Sequence, residues 1–479
     1  MNKQISYIFS SKLFRIIVFL GLFLFLTNNV LSRFVKPGID ETLAINTETI
    51  KNQDFDVVFM SNSYLYTAYD PLLLNSLTGL TSIHLGTSAR RFCFEPFILN
   101  QVLKKQEPKL VVLDISSTTI VAPDSDHSWF FNNKAIANFN FSIDKVKLLN
   151  SILPEDKKDL WLQSLSKTSR VLYNVTAEEE LTYYNTEKNS IIGKVFGYDT
   201  RVTQNLKKLK SSKKDFKKLI QNTPSSIVTK YNIIDEITID KIEELLYIAK
   251  EHSNIQFLLI NNVKLDASKE NQGTIDLIKN KIDSYKNVKV LEMNTREVKT
   301  DLDLGFEDFH DPWHVMQSGS IKITSYFSDY LKQNYDLVDS EEEDNTEYVF
   351  KINGSQDVLK VKDIKVLFAE NYSTDIRVVV DSIPEGFNEV NTVLNIYPKE
   401  KYKHLLEDKS KKNKWKSDNA YRKFKNYLQI KNGYVGKLNS WSKLKPEHID
   451  RVEIKFSGAG ITTETKVLDL NKVNIFKTK

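Results

Sequence analysis

Asp56-Val57-Val58-Phe59-Met60-Ser61-Asn62-Ser63 is the stretch whose reading decides the fold. Four consecutive apolar residues that break at a polar turn are too short for a helix and suit a strand buried on both faces. The pattern recurs twice downstream. Ser82-Ile83-His84-Leu85 runs into Gly86-Thr87-Ser88, and Leu110-Val111-Val112-Leu113-Asp114 runs towards Ser116 and Ser117. A helix is expected to start at Pro71, and Phe94 to Lys105 has the 3.6-residue apolar spacing of another. Strands alternating with helices predict parallel pairing and right-handed crossovers, with functional groups at the carboxyl ends of the strands. Ser63, Gly86 and Ser116 all fall at such ends.

Outward from this core the pattern pauses and resumes. Residues 120–235 show no apolar strand but carry helix-like stretches (Lys145 to Leu153, Lys157 to Leu165, Lys207 to Ile220), expected to form an insertion such as a lid. Helix Ile239 to His252, strand Gln256 to Ile260, helix Thr274 to Tyr285 and strand Val288 to Leu291 continue the winding, and an amphipathic helix from Ser318 to Leu331 closes it. The acidic run Glu341-Glu342-Glu343-Asp344 reads as a linker. Beyond it, residues 347–479 carry alternating or β-branched runs, among them Val358 to Phe368, Ile376 to Val380 and Val452 to Phe456, and are expected to form a β-rich, sandwich-like module. The basic segment Lys399 to Lys431 within it is expected as a solvated helical insertion, with a contact surface for an anionic polymer or membrane headgroups as the functional alternative.

The balance of 67 Lys and Arg against 62 Asp and Glu leaves a formal charge of +5, too mild to imply nucleic acid. The lone Cys93 excludes an intramolecular disulfide framework and multi-cysteine metal sites. At the N-terminus, Lys3, Lys12 and Arg15 precede the apolar run Ile16 to Leu26, which continues to Val35. Positive charge ahead of an apolar segment predicts that residues 1–36 form an uncleaved membrane anchor or signal segment that exports the rest of the chain. Residues 37–335 then form the α/β domain, on the extracytoplasmic side.

The chemistry rests on Ser63, Asp311 and His314. A serine hydroxyl is a poor nucleophile until an imidazole takes its proton, and the imidazole needs a carboxylate to fix its tautomer. Asp311 and His314, three residues apart, meet the second need locally if they share a helical turn. A second Asp-x-x-His, Asp124/His127, lies in the inserted region, whereas Asp311/His314 follows the last parallel strand. His84 reads as a core residue, and no metal site, phosphate-cradling loop or dinucleotide fingerprint is found, so no cofactor is expected.

Ser61-Asn62-Ser63 after the first strand, Gly86 after the second, a polar turn after the third and Asp311-x-x-His314 before the last helix resemble the SGNH (GDSL-like) hydrolase superfamily over residues 54–332. With the N-terminal segment, they resemble in particular its membrane-anchored cell-envelope O-acyltransferases. The resemblance implies a fold class of α/β: a three-layer parallel-sheet SGNH-like domain with a mainly helical insertion, an N-terminal membrane anchor and a C-terminal β-rich module. It implies Ser63 as nucleophile, His314 as general base and Asp311 as orienting carboxylate, with backbone N–H groups of Ser63 and Gly86 as oxyanion donors. Ser61 stands where the family carries glycine, and Ser116 and Ser117 where it carries the third-block asparagine, leaving Asn62 as a candidate side-chain donor. The implied function is O-acylation of a cell-envelope polysaccharide or polyol, the acyl group coming from a membrane-bound donor protein. An exported carbohydrate esterase and a non-catalytic envelope binding protein are the alternatives.

Overall fold

The computed structural model of the chain describes residues 12–26, 41–60, 62–116, 119–120, 131–132, 135–139, 142–153, 194–195, 198–199, 206–222, 236–270, 272–337, 348–368, 373–384, 387, 390–406, 420–424, 427–430, 433–441, 446–458 and 460–473. Helix α1 spans Lys12–Leu26 and α2 Glu41–Asn52. The first parallel strands are β1 (Val57–Met60), β2 (Ser82–His84) and β3 (Leu110–Asp114), joined by α3 (Ser63–Tyr66), α4 (Pro71–Thr78) and α5 (Glu95–Leu103). Helices α6 (Ile143–Ile152) and α7 (Leu206–Leu219) come next, with a two-stranded hairpin, Lys194–Val195 against Tyr198–Asp199, between them. Then come α8 (Glu236–Glu251), β4 (Gln256–Asn261), α9 (Gln272–Ile282), β5 (Val288–Glu292), α10 (Arg296–Asp301) and α11 (Gln317–Asn334).

The five strands form one sheet in the order β2-β1-β3-β4-β5, every pair parallel. Strand order reverses between β1 and β3, and in open parallel sheets the crevice at such a switch point is where ligands bind. Alternate residues feed two apolar layers. Val58, Met60, Val111, Leu113, Phe257 and Leu259 face one, and Val57, Phe59, Leu110, Val112, Leu258 and Ile260 the other. Both faces are covered, which explains why these strands read as unbroken apolar runs. α4 shows how local sequence sets an element: Asp70 caps its first turn by accepting from Leu72 N and Leu73 N, Pro71 fits the first position, and Gly79 closes it at φ 75°.

Residues from 348 onward build two antiparallel sheets. Strands β6 (Tyr348–Lys351), β7 (Val358–Phe368), β8 (Ser373–Val380), β9 (Asn391–Pro398), β10 (Ala420–Phe424), β11 (Leu428–Ile430), β12 (Gly433–Trp441), β13 (Ile449–Gly458), β14 (Ile461–Thr462) and β15 (Lys466–Leu468) divide between them. The orders are β11-β12-β8-β7-β6 and β10-β9-β13-β14, with β15 also on β13. One core, including Val361, Ile364, Ile376 and Val378 from the first sheet and Leu394, Ile396, Val452 and Ile454 from the second, lies between them. The described parts of the basic segment include a short 3-10 helix, Glu400–Leu406, and strands β10 and β11, rather than a continuous helical insertion; Lys411, Lys412, Lys414, Trp415, Lys416 and Lys425 lie outside the described residues. The acidic linker and the stretch Lys157 to Leu165 lie outside them too.

This β-rich part packs on α4 and α11. Leu73 and Ile321 meet Val379 and Val435 in a small apolar cluster. Beside it the fully buried Arg377 of β8 pairs with Asp70, the cap of α4, and with Asp375.

The N-terminal membrane anchor is not observed. α1 is 15 residues long, about 22 Å at 1.5 Å per residue, against a hydrocarbon core of about 30 Å. Among the described residues no helix is long and apolar enough to cross a membrane; Thr27 to Val35, which the expected segment takes in, lie outside them. The fold class is thus corrected from an anchored SGNH-like architecture to a mixed α/β fold of parallel and antiparallel sheets. The membrane-anchored, extracytoplasmic location and the membrane contact through the N-terminal helix are corrected on the same ground.

Candidate active site

β1 delivers Ser63 to the switch point. Ser63 is the first residue of α3, and Asn62 caps that turn by accepting the Tyr64 N–H at 2.9 Å. The Asn62 amide nitrogen points into the protein, 2.7 Å from Thr119 Oγ1 and 3.4 Å from Arg90 O. Thr119 Oγ1 in turn donates to Asp114, and the Ser116 hydroxyl sits 2.8 and 2.7 Å from the two Asp114 oxygens. Asn62 and Ser116 therefore belong to a buried polar network beneath the Ser63 turn. Burial raises the Asp114 carboxyl above its ordinary pKa, only partly offset by Lys264 and by the hydroxyls of Thr119 and Ser116. Ser61, Ser117, Asp124 and His127 lie outside the described residues.

The histidine comes from the other end of the sheet. A bridge between Phe309 and Val315 closes the turn that holds Asp311 and His314, and His310 N donates to His314 O at 2.8 Å. The pair thus sits on a tight loop ahead of α11 rather than on a helical turn. Asp311 Oδ1 accepts from Trp313 N (2.9 Å), His314 N (3.0 Å) and His314 Nδ1 (2.9 Å). A carboxylate only accepts, so Nδ1 carries the proton and Nε2 is left as an acceptor. Ser63 Oγ lies 2.7 Å from that Nε2 and donates to it. The arrangement is that of a Ser-His-Asp triad.

Solvent access is graded along it. The Asp311 side chain is 3% exposed and that of His314 16%. Burial pushes the Asp311 carboxyl up, but the hydrogen bond and charge of His314 and the N–H groups of Trp313 and His314 outweigh it and hold the carboxyl well below the usual range. Leu85 N donates to Phe59 O at 2.7 Å, which keeps Gly86 level with the end of β1. Among the described residues, the backbone N–H groups of Ser63 and Gly86 have no hydrogen-bond partner, and no group of three or more His, Cys, Asp or Glu is arranged to hold a metal ion.

Sequence reasoning passed over Tyr64, Asn262 and Lys264, which surround the triad. Tyr64 is the residue after Ser63, and its ring centroid is 5.5 Å from that of His314. Asn261-Asn262, a polar pair ending an otherwise apolar strand, was the available signal for the loop behind it.

No protein-family model and no curated protein matches the chain. Three solved structures show how distant its likenesses are. A Streptococcus pneumoniae protein described provisionally as a platelet activating factor is 10% identical, with a TM-score of 0.31 over 63% of this chain and 96% of that one. A gut microbial diltiazem-metabolizing enzyme is 9% identical, at 0.26 over 70% and 58%. A two-domain esterase active on acetylated mannans is 10% identical, at 0.25 over 89% and 96%. TM-scores this far below 0.5 carry no argument about this chain. The resemblance to the SGNH superfamily is therefore corrected, since no family model supports it. The exported O-acyltransferase, its envelope polysaccharide or polyol acceptor and its membrane-bound acyl donor are withdrawn with the resemblance and the anchor on which they rested.

Proposed function

We propose that the chain is a serine esterase that cleaves acyl esters through a covalent Ser63 acyl-enzyme. The observation that carries this reading is the continuous contact from Asp311 through His314 to Ser63, assembled from residues 251 positions apart. In the first step His314 Nε2 takes the Ser63 Oγ proton as Oγ adds to the ester carbonyl carbon. The resulting oxyanion accepts from the N–H groups of Ser63 and Gly86, donors of a kind worth about 10²–10³ in rate each. Collapse breaks the bond to the alcohol oxygen, which leaves with the proton held by His314. Water, deprotonated by the same nitrogen, then attacks the acyl-enzyme, releasing the carboxylic acid and restoring Ser63. In this reading residues 37–335 supply the catalytic unit and 347–479 a β-rich unit fixed to it.

The test is covalent labelling with a fluorophosphonate, together with the burst of p-nitrophenol from p-nitrophenyl acetate. One equivalent of label and a burst are expected from the wild type, and neither from Ser63→Ala or His314→Ala. A folded wild type that does not label, or label that persists in Ser63→Ala, would sink the reading.

A further inference from the structure

We propose that the loop after β4, Asn262-Val263-Lys264-Leu265, is a bracket that sets the distance between Ser63 and His314, with Asn262 and Lys264 as positioning residues. The inference rests on the triad reading above.

The loop grips both halves of the triad. On one side Asn262 Nδ2 donates to the backbone oxygen of Tyr64, next to Ser63, at 2.7 Å. The Lys264 ammonium lies 4.6 Å from the centroid of the Tyr64 ring, within the range of a cation–π contact. On the other side Leu265 N donates to Pro312 O at 3.1 Å, inside the Asp311–His314 turn. Tyr64 links the two, its ring tilted 42° to the imidazole. The bracket is itself anchored: Asn262 Oδ1 accepts from the Tyr69 hydroxyl at 3.2 Å, and Lys264 N donates to Asn294 Oδ1 at 3.1 Å.

Lys264 is only 2% exposed and pairs with Glu270, 1% exposed. Burial opposes its charge, but Glu270, Tyr64 and Asp114 together outweigh burial and keep the ammonium protonated. A buried ion pair adds little net stability compared with apolar residues of the same volume. Its placement against Tyr64 gives it a different use, holding the aromatic wall beside His314. A displacement of about 1 Å between nucleophile and base costs on the order of 10²-fold in rate, so a bracket of this kind has a measurable consequence.

The test uses three full-length variants: Asn262→Ala; Lys264→Met with Glu270→Gln, so that neither charge is left unpaired; and Tyr64→Leu. Each is expected to slow fluorophosphonate labelling by about 10- to 100-fold with KM for p-nitrophenyl acetate little changed. Combining Asn262→Ala or the charge pair with Tyr64→Leu is expected to cost nothing more, because all act on one wall. Labelling at the wild-type rate, or losses that multiply, would overturn the proposal. Should the charge variant fail to fold, Asn262→Ala and Tyr64→Leu carry the same cycle. A ¹⁵N-histidine spectrum reads the bracket without turnover: His314 ring shifts are expected to move in the bracket variants and to stay in Lys281→Gln, a change in an exposed ion pair. If the wild type does not label, the esterase reading falls, and the spectrum alone decides the bracket, unmoved His314 shifts refuting it.

Discussion

Asp311 and Asp70 are both buried carboxylates holding a nitrogen partner, and they do opposite things with it. Asp311 gathers three N–H groups on one oxygen and passes polarity outward through His314 to Ser63, a chain that ends at a part-buried hydroxyl. Asp70 divides its oxygens: Oδ1 caps α4 through Leu72 N and Leu73 N, and Oδ2 takes the Arg377 guanidinium, with both ionic side chains 0% exposed. The Asp70 N–H donates to Thr324 of α11, so the closed network ties α4, α11 and β8 together. The open chain leaves one end for chemistry. The closed one, seven residues from Ser63, fixes the helices that come after Ser63 and His314. If the comparison holds, changes in the open chain alter rate far more than stability, and changes in the closed one do the reverse.

The largest effect belongs to the open chain. Ser63→Ala and His314→Ala are each expected to lower kcat for p-nitrophenyl acetate by about 10⁴ to 10⁶, and the double variant to lose no more than either alone. Asp311→Asn removes the carboxylate that fixes the tautomer and is expected to cost about 10⁴ in rate, with the thermal midpoint lowered by the loss of that carboxylate's own stabilising contacts. A drop in stability without a drop in rate would make Asp311 a structural acid and break the comparison at its first member.

Arg377→Met tests the second member. It strands Asp70 and Asp375 in the core, and removing one partner of a buried pair typically costs about 3–5 kcal/mol. Urea unfolding is expected to shift by that amount while the folded fraction keeps activity within tenfold. Adding Asp70→Asn and Asp375→Asn, which removes the stranded charges, is expected to recover most of the loss. Failure to recover would mean that Arg377 acts by packing its stem rather than by pairing.

The two networks were unequally legible in the sequence. The parallel strands announced themselves because burial on both faces leaves unbroken apolar runs, and Ser63 and Gly86 stood at their ends. The contact of Asp311 with His314 is local and visible as spacing. The Arg377–Asp70 pair spans 307 positions, and an arginine inside an alternating strand reads as outward-facing until its partner is known. β12, Gly433–Trp441, escaped for a related reason: its glycines and polar residues carry little strand propensity, and pairing with β8 and β11 holds it in place. The α1 expectation failed on length among the described residues, since an apolar stretch counts as a span only when the helix it forms is long enough. The Asn262–Leu265 bracket was hidden because its purpose depends on two loops meeting from opposite ends of the chain.

The smallest expected effect sharpens the comparison with pH. His84 of β2 lies in the closed region, stacked on Phe59 with ring centroids 4.6 Å apart, and its Nε2–H donates to Tyr69 O at 2.8 Å. Burial lowers its pKa from 6.5 to about 4, only partly offset by the Tyr69 carbonyl and Asp70. The folded pKa lies below the unfolded one, so the unfolded chain takes up the proton first. The stability contribution is therefore complete above about pH 6.5 and is lost as pH falls through 4, by on the order of 3 kcal/mol. Asp311, whose carboxyl is also depressed, has the same sign in a lower window, losing its contribution only below the ordinary carboxylate range near pH 4. Urea midpoints measured from pH 7 to 3 are expected to fall in two stages. His84→Gln, which keeps a donor for Tyr69 O, is expected to flatten the upper stage alone, and Asp311→Asn the lower alone. A wild-type curve that is level between pH 6.5 and 4 would place a proton on His84 in the folded protein and open the region that the Asp70 network is taken to seal.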